Sequence, residues 1–416
     1  MIDQKVSRMK KPSINKIKKK PNILFLANSL YGGGIQEFIF NITKNISVVQ
    51  PVILAPRELH QESFDRNTQV KVERQTINNY TIFSRFLYKV TNITGFQSIY
   101  RSLQYKPFIK GLLKSYNIKM IHCSHIYLAP LAYFIFRKWG IPYIVYAYGK
   151  EFVINNVCRS NPLMYRIMKN VLNNASAIIS NCDFTSGLIK QWGIDSGNIM
   201  KIPNGVDHEY FNPKEISYNS QFSLLANKKN IILTVGRLIE RKGHDTVIRA
   251  LAQIRQTNPN IFYVIIGEGP QEKYLKMLAN QLNVDDIILF AGRVSNKTLL
   301  KYYRSCTFFI MLSRVIGRNH DVEGMPLVYL QASACAKPTI GGRTGGVEEA
   351  VINNITGYTI DPEDIQECVF VMNKLINEKN IASKLGKNGR DWIEKKMNWK
   401  LGTRQLDQLI SIIIIN

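Results

Sequence analysis

Apolar positions along this chain fall into short runs separated by longer amphipathic stretches. Runs at residues 22–28, 51–55, 119–123, 143–147 and 177–181 are too short for helices and too continuously apolar for half-exposed strands, so they predict strands buried on both faces. The stretches between them are long enough for crossover helices. The first run ends in a glycine loop and leads into an amphipathic segment from Gln36, as at the opening of a doubly wound sheet. A second alternation follows at 231–235, 262–266, 287–291, 308–312 and 338–340. Two α/β units with parallel sheets are therefore expected, and the 416 residues suit two domains better than one core. Turn-rich residues 201–207 close the first alternation, residues 212–229 read as a linker, and residues 392–415 predict a terminal helix.

Composition narrows the function classes. The six cysteines form no Cys-x-x-Cys pair and no metal-ligand spacing, so reduced, buried thiols and a cytosolic setting are expected. No Asp-x-Asp occurs, so a metal clamp on a diphosphate lacks its usual ligands, and no metal site is expected. The apolar run 126–136 is about half of what a bilayer span needs, roughly 20 residues. Lysines followed by residues 23–27 imitate a signal peptide, but the run is short and leads directly into Gly32, Gly33 and Gly34. It reads as a first strand.

The net charge of +25 is unevenly placed. Residues 1–213 hold 28 Lys and Arg against 11 Asp and Glu, whereas residues 230–380 hold 17 against 15. Between Arg85 and Cys182 the sole acid is Glu151, against thirteen bases. An anionic surface or polyanionic acceptor facing the first half fits this asymmetry; a genome rich in Lys, Asn and Ile codons would also produce it. No helix-turn-helix, zinc or aromatic-plus-basic motif accompanies the charge, so nucleic acid is the poorer partner.

Candidate chemistry gathers at the carboxyl ends of predicted strands, where open α/β sheets bind ligands. After the 231–235 strand come Gly236, Arg237, Glu240, Arg241, Lys242 and Gly243. Fixed cations beside backbone N–H groups suit a diphosphate; a solvated basic turn is the plainer alternative. Gly33 and Gly34 permit close approach of a phosphate to a helix N-terminus, though a tight strand-to-helix turn needs the same residues. Residues 311–349 read as strand, charged loop, helix, strand and second glycine loop, placing Glu323, Gly324, Met325, Pro326 and Leu327 at a helix start.

This last run, with Gly236, Arg237 and Lys242, resembles the signature of retaining glycosyltransferases of family 4 (group 1), which share the two-domain GT-B fold. The pattern Ser313, Arg314, Asp321, Glu323, Gly324 is most similar to the phosphatidylinositol mannosyltransferase branch. The resemblance implies two Rossmann-like domains facing a central cleft. Residues 21–203 would form the acceptor-side domain, 204–395 the nucleotide-sugar domain and 396–416 a helix crossing back, behind a basic tail at 1–20. It assigns Arg237 and Lys242 to the donor diphosphate, Glu323 to the donor sugar and position 331 to the ribose. There the family glutamate is replaced by Gln331, which keeps an acceptor oxygen and loses the charge. Tyr148 stands where relatives carry a histidine near the transferred sugar; His125, like His122 on the preceding strand, is a candidate for the same cleft.

The donor implied is a GDP-sugar or UDP-sugar with no further cofactor, the acceptor a lipid-linked or glycan molecule, and the location the cytosolic face of the inner membrane. A GT-B protein that binds a nucleotide sugar or scaffolds a partner without transferring the sugar is the alternative, with Tyr148 and Gln331 as its marks.

Overall fold

A computed structural model describes residues 20–30, 33–58, 64–66, 68–77, 100, 103–154, 162–214, 230–317 and 322–415. The tail 1–19, Gly32, Cys158, Asp321 and most of the expected linker lie outside them. The chain divides into two compact units, one of residues 1–204 with 399–416 and one of residues 205–398. The changeovers expected from sequence were at 203/204 and 395/396.

The first unit holds seven strands: β1 (Asn22–Leu26), β2 (Gln50–Pro56), β3 (Lys71–Gln75), β4 (Ile118–Cys123), β5 (Tyr143–Ala147), β6 (Ala177–Ser180) and β7 (Ile199–Lys201). All pairings are parallel, in the order β3-β2-β1-β4-β5-β6-β7. Side chains alternate across the sheet. Leu24, Leu26, Val52, Leu54, Ile121 and Val145 face one core, which is covered by helices α1 (Lys106–Tyr116), α2 (Ala129–Trp139) and α3 (Pro162–Asn173) through Ile109, Leu131 and Met168. On the other side Phe38, from the helix Gly34–Asn45, packs its ring 5.0 Å from Tyr146 and 5.7 Å from Trp399. Trp399 opens the last helix, Trp399–Ile415, whose Asp407 accepts from Ser47 Oγ at 2.6 Å.

The second unit repeats the plan with β8 (Asn230–Val235), β9 (Ile261–Ile266), β10 (Ile288–Gly292), β11 (Phe308–Met311), β12 (Thr339–Gly342) and β13 (Gly357–Ile360), all parallel, in the order β10-β9-β8-β11-β12-β13. Strand order reverses beside β1 in one unit and beside β8 in the other. The crevice between the reversing connections is where this topology binds ligands.

Two expectations need correction. Residues 392–415 are not one helix: a helix ends at Lys396 and another starts at Trp399. Met397 between them gives its carbonyl to Val206 N at 3.0 Å, and Asn398 bridges to Val206, so the chain is pinned to an extended segment where a continuous helix would need its own bonds. Strands β3, β7 and β13, absent from the sequence reading, add edges to the sheets. The five described cysteines are buried and unbridged. Among the described residues no helix is long and apolar enough to cross a membrane.

Candidate functional site

The loops leaving β8 and β11 build a charged cluster in the second unit. After β8 the chain passes Gly236 and an exposed Arg237, then makes a single 3-10 turn, Glu240–Lys242, which brings Arg241 and Lys242 back over the sheet. A Cβ on Gly236 would lie 3.6 Å from Lys242 Cε, so the lysine stem runs alongside this glycine at ordinary contact distance. Glu323 arrives from the β11 loop. Lys242 Nζ donates to its Oε1, and the Arg241 guanidinium forms an ion pair with the same oxygen. All three side chains are largely buried, at 12 to 14% exposure. Burial pushes the Glu323 carboxyl up, but the charges of Lys242 and Arg241 outweigh it and hold the group below its ordinary value.

A second pair supports the first. Arg314 Nη2 meets Asp245 Oδ2 at 3.0 Å, and Arg314 N donates to the Arg241 carbonyl at 2.9 Å, so the two ion pairs share one backbone strut. Beneath them His244 Nε2 lies 3.2 Å from the Arg237 carbonyl. Burial lowers this imidazole to about 4, leaving it neutral at pH 7. Gly345, at φ +58, sits against the Glu323 carbonyl, which a Cβ would approach to 2.3 Å, and Gly346 N donates to that carbonyl at 3.1 Å. The second glycine loop thereby fixes the backbone that carries the carboxylate.

Gly324, Met325 and Pro326 lead from Glu323 into the helix Leu327–Ala334, with Pro326 as its N-cap. Met325 and Leu327 turn their side chains into the interior, at 5 and 7% exposure. What this stretch offers a ligand is backbone N–H at a helix start. Gln331, one turn further on, is also buried, and its Oε1 accepts from Tyr303 at 2.9 Å. Its acceptor oxygen is therefore engaged by the protein.

The first unit assembles a different group. Gly33, at φ +118, caps the helix Gly34–Asn45, with Gly34 as its first residue. Tyr148 follows β5; its backbone N donates to Glu151 Oε1 at 2.7 Å, and Glu151 is buried. The His125 ring lies 6.4 Å from that of Tyr148 and 4.6 Å from that of Tyr127, and burial lowers its pKa despite the opposing charge of Glu151. Burial also raises the Tyr148 phenol well above its usual value, and its hydroxyl has no hydrogen-bond partner among the described residues. His122 is a core residue. It is fully buried, its Nδ1 lies 3.0 Å from Tyr146 Oη, and burial lowers it to about 3.

The structure thus brings Lys242 and Glu323 together, with Gly236 and the 324–327 turn around them. Arg241 and Asp245 were not assigned roles from sequence. Adjacency to Lys242 was the available signal for Arg241; Asp245 carried none beyond its place in a first helical turn.

Comparison with known proteins gives the cluster a context. The family described as glycosyl transferases group 1 matches residues 217–392, and glycosyltransferase family 4 matches residues 50–210. A GDP-mannose-dependent alpha-(1-6)-phosphatidylinositol monomannoside mannosyltransferase of Mycolicibacterium smegmatis is 28% identical over 253 residues, 60% of this chain and 66% of the relative. The matched stretch is thus slightly under two thirds of that enzyme. An uncharacterized glycosyltransferase of Methanocaldococcus jannaschii is 26% identical over 391 residues, 92% of this chain and 96% of the relative. Among solved structures, HepE of Anabaena with UDP and glucose has a TM-score of 0.73 at 18% identity, covering 94% of this chain and 99% of that one; at that identity the likeness shows the fold, two Rossmann-like units of the GT-B type. With both halves matched by the same enzyme group, the chain belongs to the family 4, group 1 glycosyltransferases.

Proposed function

We propose that the protein is a retaining, metal-independent hexosyltransferase that moves a sugar from a nucleoside diphosphate to a lipid-linked or polysaccharide acceptor. The acceptor would be met at the cytosolic face of the inner membrane. The observation that carries this reading is the Lys242–Glu323–Arg241 cluster at the β8 switch point: a lysine where a diphosphate would rest, and a carboxylate, held by Arg241, where sugar hydroxyls would be bound. Arg237, exposed and without an ion pair among the described residues, adds a third cation on the same loop.

In this reading the diphosphate takes Lys242 and Arg237, while Glu323 turns to the sugar and remains fixed by Arg241. The acceptor oxygen bonds to the anomeric carbon on the face from which the phosphate leaves; the C–O bond to phosphate breaks, and a phosphate oxygen takes the acceptor's proton. The cations stabilise charge that grows on the leaving group, which is where positive groups lower a barrier most. Tyr148 and His125 belong to the acceptor side, and burial keeps both neutral, suited to hydrogen bonding rather than to proton abstraction. Gln331 would meet the ribose through its Nε2 donors, or by sharing the oxygen that now holds Tyr303.

A donor panel tests the proposal. GDP-mannose leads it because the mannosyltransferase relative is named for that donor; UDP-hexoses follow. Release of nucleoside diphosphate that depends on a membrane-lipid extract, persists in chelator and yields a product of retained anomeric configuration is expected. Tight donor binding without release or transfer would instead support the scaffold reading.

A further inference from the structure

We infer that the open edge of the second unit's sheet, strand β10, is a self-association surface, on which a second copy of this chain pairs its own β10 antiparallel about a twofold axis. β10 stands two places from β8 in the sheet, so such pairing does not depend on the reaction proposed above.

A sheet edge carries a row of backbone N–H and C=O groups that a further strand can take up. Soluble proteins guard their edges with charge, brevity or a covering segment. Three of the four edges here are guarded in one of these ways. β3 reads Lys-Val-Glu-Arg-Gln, and its Arg74 pairs with Asp65 at 2.7 Å. β7 is three residues long. β13 is covered: Asn354 N donates to the Gly357 carbonyl at 2.8 Å, Thr359 N to Asn353 Oδ1 at 3.1 Å, and Arg343 Nη2 to the Thr359 carbonyl at 3.2 Å. β10 has none of these devices. Its sequence Ile288-Leu289-Phe290-Ala291-Gly292 contains no charge and no proline, and among the described residues no strand pairs with its outer side.

The side chains of this edge are apolar and half-exposed at Leu289, Phe290 and Ala291, whereas its neighbour β9 is buried throughout. Ile288 and Phe290 point to the face that packs on the core, and alternation turns Leu289 to the other. Against the first face the helix Glu272–Gln281 sets Lys276 Nζ 5.5 Å from the Phe290 ring. Tyr274 and Met277 stand exposed on that helix at 39 and 51%. The irregularity in register between Phe290 and Gly292 falls at the end of the strand and leaves Ile288, Leu289 and Phe290 in regular order.

Charge selects the occupant and its direction. Asp285 and Asp286 precede the strand and Arg293 follows it, all three exposed. Antiparallel pairing centred on Leu289 sets Ile288 opposite Phe290 of the second copy and brings each Arg293 to the Asp285 of the other, a self-complementary arrangement. Asp286 already holds Arg255 through both carboxylate oxygens, which leaves Asp285 as the acid for this contact. Arg293 rests on Glu268 at 3.4 Å in an exposed pair, which costs little to exchange. Parallel pairing in register would instead set acid beside acid and arginine beside arginine.

Sedimentation velocity of the full chain across roughly 1 to 100 µM tests this, since a reversible dimer grows with concentration. The wild type should pass from monomer to dimer. Leu289→Lys sets two ammonium groups face to face at the axis and should weaken the dimer at least about tenfold. Asp285→Arg should also weaken it, and the charge swap Asp285→Arg/Arg293→Asp should restore it. Asp285 and Arg293 are exposed, so these variants probe the contact without touching the core, whatever Leu289→Lys does to folding. In hydrogen exchange, amides within residues 288–291 should be slower in the dimer than on dilution. A wild type that stays monomeric, a dimer indifferent to Asp285→Arg, or a charge swap without rescue would overturn the proposal.

Discussion

The two units share one strand order and differ in what stands at the point where it reverses. In the second, fixed ions crowd the loops: Lys242, Arg241 and Glu323, with Arg314 and Asp245 behind them. In the first, the matching loops after β1, β4 and β5 carry Gly33, Tyr127 and two side chains that burial keeps neutral at pH 7, His125 and Tyr148, and the one acid, Glu151, is turned inward to a backbone N–H. Outside the site the contrast inverts, since the first unit bears most of the basic excess. A scaffold fixes where a site lies, and the loops decide whether it holds charge or shape.

Variants that touch one unit should break this contrast in order of size. Lys242→Ala removes the donor to Glu323 and, in the proposed reaction, a cation on the leaving group. kcat/KM should fall by about three orders of magnitude, or roughly 4 kcal/mol. Arg237→Ala, at an exposed position, should cost less and leave thermal stability unchanged; equal, small losses in both would remove the diphosphate assignment.

Two glycines with similar backbone angles sharpen the comparison in stability. Gly243 (φ +65) would place a Cβ 2.0 Å from the Leu312 carbonyl, whereas Gly140 (φ +69) has nothing within 4 Å. Gly243→Ala should cost about 3 kcal/mol or more, because backbone must move as well as strain. Gly140→Ala should cost about 1 kcal/mol from the left-handed angle alone. Chemical denaturation would tell them apart, and equal losses would mean that the Leu312 contact yields freely.

Acid should weaken both units through buried histidines, His122 foremost in the first and His244 in the second. His122 and His244 have folded pKa values near 3 and 4, below the ordinary 6.5. As pH falls below 6.5 the unfolded chain takes protons that the folded chain refuses, so stability drops by up to about 1.4 kcal/mol per pH unit for each histidine until the folded value is reached. His122→Phe should flatten part of this slope between pH 6 and 4 in urea titrations; an unchanged slope would place the proton elsewhere.

The smallest effect is expected at Gln331→Glu. A carboxylate would offer the ribose a second oxygen while Tyr303 keeps the first, tightening donor binding by about tenfold or less. Abolished binding would mean that the pocket is built around the amide.

How much of this was legible follows from what local sequence encodes. Ten of the strands are apolar runs, because both faces of a central parallel strand are buried. The strand Lys71–Gln75 reads Lys-Val-Glu-Arg-Gln, since an edge strand has little to bury, and Ile199–Lys201 is three residues long. Glu323 and Lys242 were legible as motif positions after strands. Their mutual pairing across 81 residues was not, nor was the Arg314–Asp245 pair across 69, because each depends on two loops meeting over the sheet. The capture of Gln331 by Tyr303 was equally hidden: it rests on neighbouring helices rather than on any local pattern.

The central claim, that the donor diphosphate is held by the ions of the second unit, is tested most directly by calorimetric titration of GDP and UDP into three full-length proteins. These are the wild type, Arg237→Ala/Lys242→Ala and His125→Asn/Tyr148→Phe. The account predicts that one nucleotide binds the wild type and the first-unit variant equally, and binds the second-unit variant at least about a hundredfold more weakly. Undiminished binding by Arg237→Ala/Lys242→Ala, or loss confined to His125→Asn/Tyr148→Phe, would contradict it.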